Sequence, residues 1–414
     1  MTTFELPADA KIASAQLQMA ADDSYKAVLN TRNVAGGTSW QVVQMVDVAG
    51  DLKGGTNDLR VEVANASPSP AGLLGRLEIK LAGGKTIVVV TDGSWKSLMP
   101  FPYWHKNPIA ASKTASVKVL GEYGMQPWGK VKASSTTLPP AVYLRTIFTA
   151  EKDIRRAVLY STALGIHDMY LNGQRVSDDY FNPGWTDYTK RVYARAYDVT
   201  DGVKKGTNAL GGILADGWFS GYVGFGKKRD HYGDKPRLRA QLHIEYADGS
   251  TAVVATGPQW KASTGAYLEA DFLMGETYDA RLAPTGWDTA SFDAAAWDAV
   301  DAGTTFKPLM QAHPAPPVRV IGQFKSIKTV QSGPGTYILN LGQNFAGLTR
   351  LKIKGQAGQK IVLRFAERLN TDGSFYVTNL REARCIDTYI CRGDGEEVYV
   401  PRFTFHGFQY VEIS

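Results

Sequence analysis

Residues able to handle a polyhydroxylated ligand crowd into a short stretch. Asn172-Gly173-Gln174-Arg175-Val176-Ser177-Asp178-Asp179 is followed closely by Asn182-Pro183-Gly184-Trp185-Thr186-Asp187-Tyr188. A pyranose offers an apolar C–H face that stacks on Trp or Tyr, while its hydroxyls need carboxylate or amide partners, sometimes with a hard cation held by carboxylates. Trp185 and Tyr188 supply rings, Asp187 a carboxylate, and Asp178 and Asp179 the oxygens a cation would take. The same residues also fit a structural role, with Asn172-Gly173 as a type I′ hairpin turn and Trp185 and Tyr188 as core anchors between two sheets. A second cluster, Asp216-Gly217-Trp218-Phe219-Ser220-Gly221-Tyr222-Val223-Gly224-Phe225-Gly226, is too aromatic for a passive connector and too Gly-rich for a strand. Its Trp218, Phe219 and Tyr222 either stack on a ligand or cover the end of a domain, with Asp216 beside them. In Gly275-Glu276-Thr277-Tyr278-Asp279-Ala280-Arg281 the charges read as an ion-pair network joining domains in preference to an acid/base set. Lys227-Lys228-Arg229 is too short for a phosphate-binding stripe and reads as a solvated loop.

The elements that carry these residues are strands. Arg76-Leu77-Glu78-Ile79-Lys80-Leu81 and Lys85-Thr86-Ile87-Val88-Val89-Val90 flank a Gly-Gly turn and predict a hairpin. The best helical stretch, residues 291–297, has Ala294-Ala295-Ala296 but no long amphipathic stripe. A repeat organises the chain: Val46-Asp47-Val48 with Lys53-Gly54-Gly55-Thr56-Asn57 recurs 151 positions later as Tyr197-Asp198-Val199 with Lys204-Lys205-Gly206-Thr207-Asn208. Leu77-Glu78-Ile79 recurs as Leu242-His243-Ile244 and Trp95-Lys96 as Trp260-Lys261, an offset of 165, while Leu29-Asn30 matches Leu171-Asn172. The change from 151 to 165 places 14 additional residues in the second copy between Leu210 and Leu242, where the Trp218 cluster lies. Two homologous galactose-binding-like β-sandwiches (jelly rolls), residues 1–135 and 140–300, are expected, then a third β-sandwich over 312–414 beyond the Pro-rich linker 313–317. The fold class is all-β.

Bulk properties exclude other classes. The chain has 414 residues, room for two or three domains at about 150 residues each. Its 46 Lys and Arg against 40 Asp and Glu, net +6, are too dilute for nucleic-acid binding. No apolar run approaches the ~20 residues of a membrane-spanning helix. The N-terminus shows no secretory signal, so a cytoplasmic location is the default, or export if a leader precedes Met1. Cys385 and Cys391, the only cysteines, fit no CxxC or zinc spacing and read as buried thiols. HExxH and GxSxG are absent, and Gly84-Lys85-Thr86 is no P-loop because Ile79 stands where the first Gly belongs. His406 has no acidic or Cys neighbour in sequence and reads as packed.

Tyr170-Leu171-Asn172-Gly173, Pro183-Gly184-Trp185-Thr186-Asp187-Tyr188, Asp216-Gly217-Trp218 and Gly275-Glu276-Thr277-Tyr278-Asp279-Ala280-Arg281 together resemble the N-terminal half of bacterial α-L-rhamnosidases. Asn340-Leu341-Gly342-Gln343-Asn344-Phe345-Ala346-Gly347 and Phe405-His406-Gly407-Phe408-Gln409-Tyr410-Val411 are similar to that family's following β-domain, so the likeness covers about 140–414. The resemblance implies exo-hydrolysis of terminal α-L-rhamnose with inversion, by two carboxylates roughly 6.5–9.5 Å apart that straddle a water. It places those carboxylates in an (α/α)6 barrel after the β-domain, so no catalytic residue is expected within these 414 positions. It also implies carbohydrate-binding roles for Trp185, Asp187, Tyr188, Asp216, Trp218 and Tyr222. No cofactor is required, and calcium is admitted at Asp178 and Asp179. The expected partners are a rhamnose-containing glycoside or polysaccharide and the barrel in cis, with no nucleic acid and no membrane. The first copy, with Asn33-Val34-Ala35 in place of the acidic pair, is expected to be a spacer, and the Phe403-to-Tyr410 region to present an apolar face.

Overall fold

Alternation of apolar and polar residues sends every second side chain to one face, and the backbone answers with antiparallel ladders. Leu73–Leu81 and Thr86–Val90 pair with Ile79 opposite Ile87, and Gly84 takes the left-handed φ of 82° that their turn requires. The computed structural model describes residues 1–37, 40, 42–65, 70–98, 114–135, 138–224, 228–303, 308–333, 335–381 and 383–414. Among them the only α-helix is the single turn Gly217–Ser220. Residues 291–297 form turns, since three alanines without an apolar stripe bury nothing that would hold a helix.

Met1–Thr137 and Leu138–Ser414 form two separate units. In the first, a four-stranded sheet (Thr2–Leu6, Gly55–Ala64, Ser24–Leu29, Arg32–Gly37) faces a five-stranded one built around Ile12–Ala21 and Leu73–Leu81. Leu17, Leu29, Leu59, Leu77, Ile79 and Trp95 are buried between them. In the second unit a six-stranded sheet centred on Gly206–Ala215 and Val142–Ala150 faces a five-stranded sheet centred on Ile154–Leu164. Leu159, Leu171, Leu210, Leu242 and Trp260 fill that core.

The repeat is written in hydrogen bonds. Asn57 accepts from the Lys53 amide and donates to the Lys53 and Gly55 carbonyls, and Asn208 does the same with Lys204 and Gly206. Asn30 and Asn172, both at positive φ, donate to Asn57 and Asn208. Trp95 donates its indole N–H to Val90, and Trp260 donates to Ala255. The additional residues of the second copy fall between Gly206–Ala215 and Arg237–Tyr246.

The rest of the second unit is built on a seven-stranded sheet in the order Tyr267–Asp271, Gly275–Asp279, Ile386–Ile390, Lys360–Ala366, His406–Ile413, Thr336–Gly347, Lys328–Gly333, with two short ladders beside it, Leu351–Lys354 with Glu396–Tyr399 and Arg368–Leu369 with Phe375–Tyr376. Its first two strands are a hairpin that follows the second repeat, and Thr277–Asp279 pairs in parallel with Thr388–Ile390. A Cβ on Gly275 would strike the Ile386 carbonyl, so the close approach demands glycine. Phe403 and Phe408 turn into the core and only Phe405 of that stretch is exposed among the large apolar residues, so the face expected there is mostly covered. Exposed apolar side chains gather instead at Val318, Val320, Ile321, Phe324 and Ile327, on the extended chain leading into this sheet.

Candidate functional site

At one end of the second sandwich a run of aromatic rings reaches the surface. Gly184, at φ 95°, lets the chain turn against His313, whose ring nitrogen would lie 3.0 Å from any Cβ there. The next residue, Trp185, is 54% exposed. Its ring lies parallel to Trp218, 2° between planes and 6.2 Å between centroids. Trp218 rests on Phe272 at 4.2 Å between centroids, and Phe272 meets both Phe181 and Phe405 edge-on. A flat, rigid apolar surface of this kind accepts the C–H face of a sugar at little entropic cost.

The loop that offers Trp218 is anchored from below. Gly217 sits at φ 54°, where a Cβ would collide with Ile166, so a left-handed glycine starts the helical turn. Asp216 is buried and accepts from Ser220 Oγ at 3.1 Å and Arg229 at 2.7 Å. Burial pushes its carboxyl up to about 6, against the pull of Arg229. Asp271, also buried and raised by desolvation, accepts the amides of Tyr222, Leu273 and Met274 at 2.8–2.9 Å. It ties the Trp218 loop to the turn bearing Phe272.

The residues picked from sequence therefore separate. Trp185 and Trp218 come together at the surface, while half-buried Tyr222, further along the Trp218 loop, has the Arg229 guanidinium 5.7 Å over its ring. Asp216 is turned inward as an anchor. Tyr188 is core, edge-on to Phe219 and Tyr232 with its hydroxyl on the Gly184 carbonyl. Asp187 closes its own turn on Thr189 and pairs with Lys190 at 3.0 Å, bonds that hold it down to about 2. Arg229 is not solvated, since it supplies the Asp216 ion pair. Phe225, Gly226 and Lys227 lie outside the described residues.

Asp178 and Asp179 share a cation of their own kind: Arg319 Nε is 2.9 Å from the first carboxylate and 3.0 Å from the second. Tyr197 donates its hydroxyl to Asp179 at 3.2 Å. This set fits a guanidinium better than calcium, and among the described residues no three His, Cys, Asp or Glu side chains converge to hold a metal.

Sequence reading missed Phe272, Asp271, Arg319 and Arg402, which come from distant segments. Arg402 binds Asp168 through two nitrogens at 2.9 and 3.0 Å and lies 3.9 Å over the Tyr180 ring, pinning the sandwich to the seven-stranded sheet. His406 is packed as expected, but its neighbours are Asp387 at 2.9 Å and Cys385 at 3.2 Å, brought in by the start of the strand Ile386–Ile390 and the residue before it, two strands away in the sheet. Both cysteines are buried and free. Glu276 is fully buried wiring, accepting from Tyr399, Arg402 and Phe403.

Fold and site define an all-β chain of sandwiches with a solvent-facing aromatic platform at the end of the second. Residues 152–322 match the α-L-rhamnosidase N-terminal domain, and residues 330–414 match the bacterial α-L-rhamnosidase concanavalin-like domain; over these segments the chain belongs to the bacterial α-L-rhamnosidase family. A Streptomyces avermitilis α-L-rhamnosidase is 41% identical over 100% of this chain, and one from Alteromonas sp. is 40% identical over 68% of it. The chain spans 40% and 31% of those relatives' own lengths. The crystal structure of the Streptomyces avermitilis enzyme complexed with L-rhamnose superposes with a TM-score of 0.72 at 40% identity, covering 100% of this chain and 40% of that one. The Aspergillus terreus α-L-rhamnosidase gives 0.65 at 25% identity, covering 99% and 45%.

Proposed function

We propose that this chain is the substrate-positioning and barrel-supporting region of an α-L-rhamnosidase that removes terminal α-L-rhamnose from glycosides. The observation that carries this reading is the exposed Trp185 parallel to Trp218, a platform suited to the apolar face of a 6-deoxy sugar. The exposed Val318, Val320, Ile321, Phe324 and Ile327 supply an apolar strap for a catalytic domain in cis to cover. General acid and base belong to that domain, so the 414 residues alone are expected to leave p-nitrophenyl α-L-rhamnopyranoside intact.

The test is a calorimetric titration of this chain with L-rhamnose, with calcium and again with EDTA. One sugar on one aromatic platform is expected to bind at about millimolar Kd, near −4 kcal/mol. Trp218→Ala is expected to abolish the heat, and because Arg319 already neutralises Asp178 and Asp179, EDTA is expected to leave it unchanged. Loss of binding in EDTA would return those aspartates to a metal role. Absence of binding in both buffers would leave the sandwiches as scaffolding.

A further inference from the structure

The first sandwich holds a cavity of about 560 Å³. Its place in the fold is informative. Leu17 pairs with Val46 and Leu77 as Leu159 pairs with Tyr197 and Leu242, so Asp22 corresponds to Leu164. Leu164 packs against the cluster of Tyr188, Val192 and Phe219, the same cluster that Trp218 packs against. The cavity of the first copy, bordered by Ala20, Ala21 and Leu73, therefore opens at the end that carries the aromatic platform in the second.

Its walls differ from a sugar site in chemistry. Trp128 lies against Gly72, where a Cβ would meet the ring at 3.3 Å, and spends its indole N–H on Asp22 at 3.0 Å. Trp95 spends its own on Val90 at 2.8 Å, and Tyr123 donates its hydroxyl to Val131 at 2.8 Å. Asp92 is engaged by Ser94, and Lys118 and Glu122 stand in solvent. What Trp128, Trp95 and Tyr123 offer inward is ring faces whose own donors are already engaged, and Trp40 adds a fourth ring to the wall. A sugar would find few partners for its hydroxyls, whereas a flat apolar ring system stacks without needing any. The volume lies in the range of roughly 300–1,000 Å³ that encloses ligands of a few rings.

We propose that the first sandwich carries a binding site of its own for a flat aromatic ligand of two or three rings, between Trp128, Trp95 and Leu73. The site is independent of the rhamnose platform. The experiment is calorimetric titration of the full 414-residue chain with 2-naphthol. Saturable binding at one site is expected, weakened at least tenfold by Trp128→Ala and abolished by Ala71→Trp, which puts a ring into the cavity from an exposed position and leaves the Trp128–Asp22 bond in place. Trp218→Ala is expected to leave it unchanged. No saturable binding, full affinity in Ala71→Trp, or loss of binding in Trp218→Ala would each overturn the assignment.

Discussion

Glu276 lies where the second unit's hairpin joins the seven-stranded sheet, and it keeps a carboxyl in a place that water does not reach. Burial raises it to about 7, the amides of Phe403 and Arg402 and the Tyr399 hydroxyl offsetting only part of that. A raised folded-state value means that protonation favours the fold. Glu276 therefore contributes stability that is complete below its ordinary value of 4.5 and lost as pH rises through about 7. Asp216, raised to about 6, acts in the same direction over the lower part of that window. For His406 burial pulls downward, but the Asp387 charge and hydrogen bond outweigh it and raise it to about 10, so its contribution is complete below 6.5 and fades toward 10. Glu276→Gln retains acceptor and donor for the same three partners, the Tyr399 hydroxyl turning to accept. Melting temperature against pH is expected to flatten between about 6 and 7 in this variant and to keep the decline toward 10; an unchanged slope near neutrality would refute the assignment. Residue type announces such chemistry poorly. Asp178, Asp179, Asp187 and Asp216 looked alike in sequence, and only the arginines and turns that met them decided which were engaged.

At the scale of elements, the repeat was legible because its Asn residues are chosen by backbone need: side chains that fold back on neighbouring amides are hard to replace. Asn57 and Asn208 each bond three backbone groups in matching loops. Replacing either by Ala leaves buried backbone groups unpaired, at about 1–3 kcal/mol each before relaxation. Asn208→Ala and Asn57→Ala are therefore expected to lower urea midpoints by similar amounts, each in its own sandwich, read by tryptophan fluorescence. Equal loss of structure in both sandwiches from one substitution would contradict this. The transfer of Gly275–Asp279 into another sheet was not legible, because parallel pairing with Thr388–Ile390 joins segments more than 100 residues apart and leaves no local pattern. The charged run 275–281 nevertheless carried a hint. Glu276 and Asp279 are buried, and burying carboxylates makes sense only where distant donors arrive to meet them.

For the whole molecule, the division into Met1–Thr137 and Leu138–Ser414 sets how it should melt. The two sandwiches are relatives in sequence, yet the second shares a unit with the seven-stranded sheet because Arg402, Glu276 and the parallel strand pair bind it there. Unfolding enthalpy scales at about 0.7 kcal/mol per residue near 60 °C, so calorimetry is expected to resolve two transitions with enthalpies in a ratio of roughly 1:2. Arg402→Met strips the buried Asp168 of its bidentate partner, a loss of about 3–5 kcal/mol that lowers the larger transition by roughly 5–9 °C and leaves the smaller in place. Adding Asp168→Leu removes the stranded charge as well, and much of the lost stability is expected to return. If Arg402→Met moved both transitions together, the two units would be one cooperative block. If the double variant stayed as unstable as the single one, the pair would be holding the sheet in register by its geometry instead of by the need to neutralise Asp168.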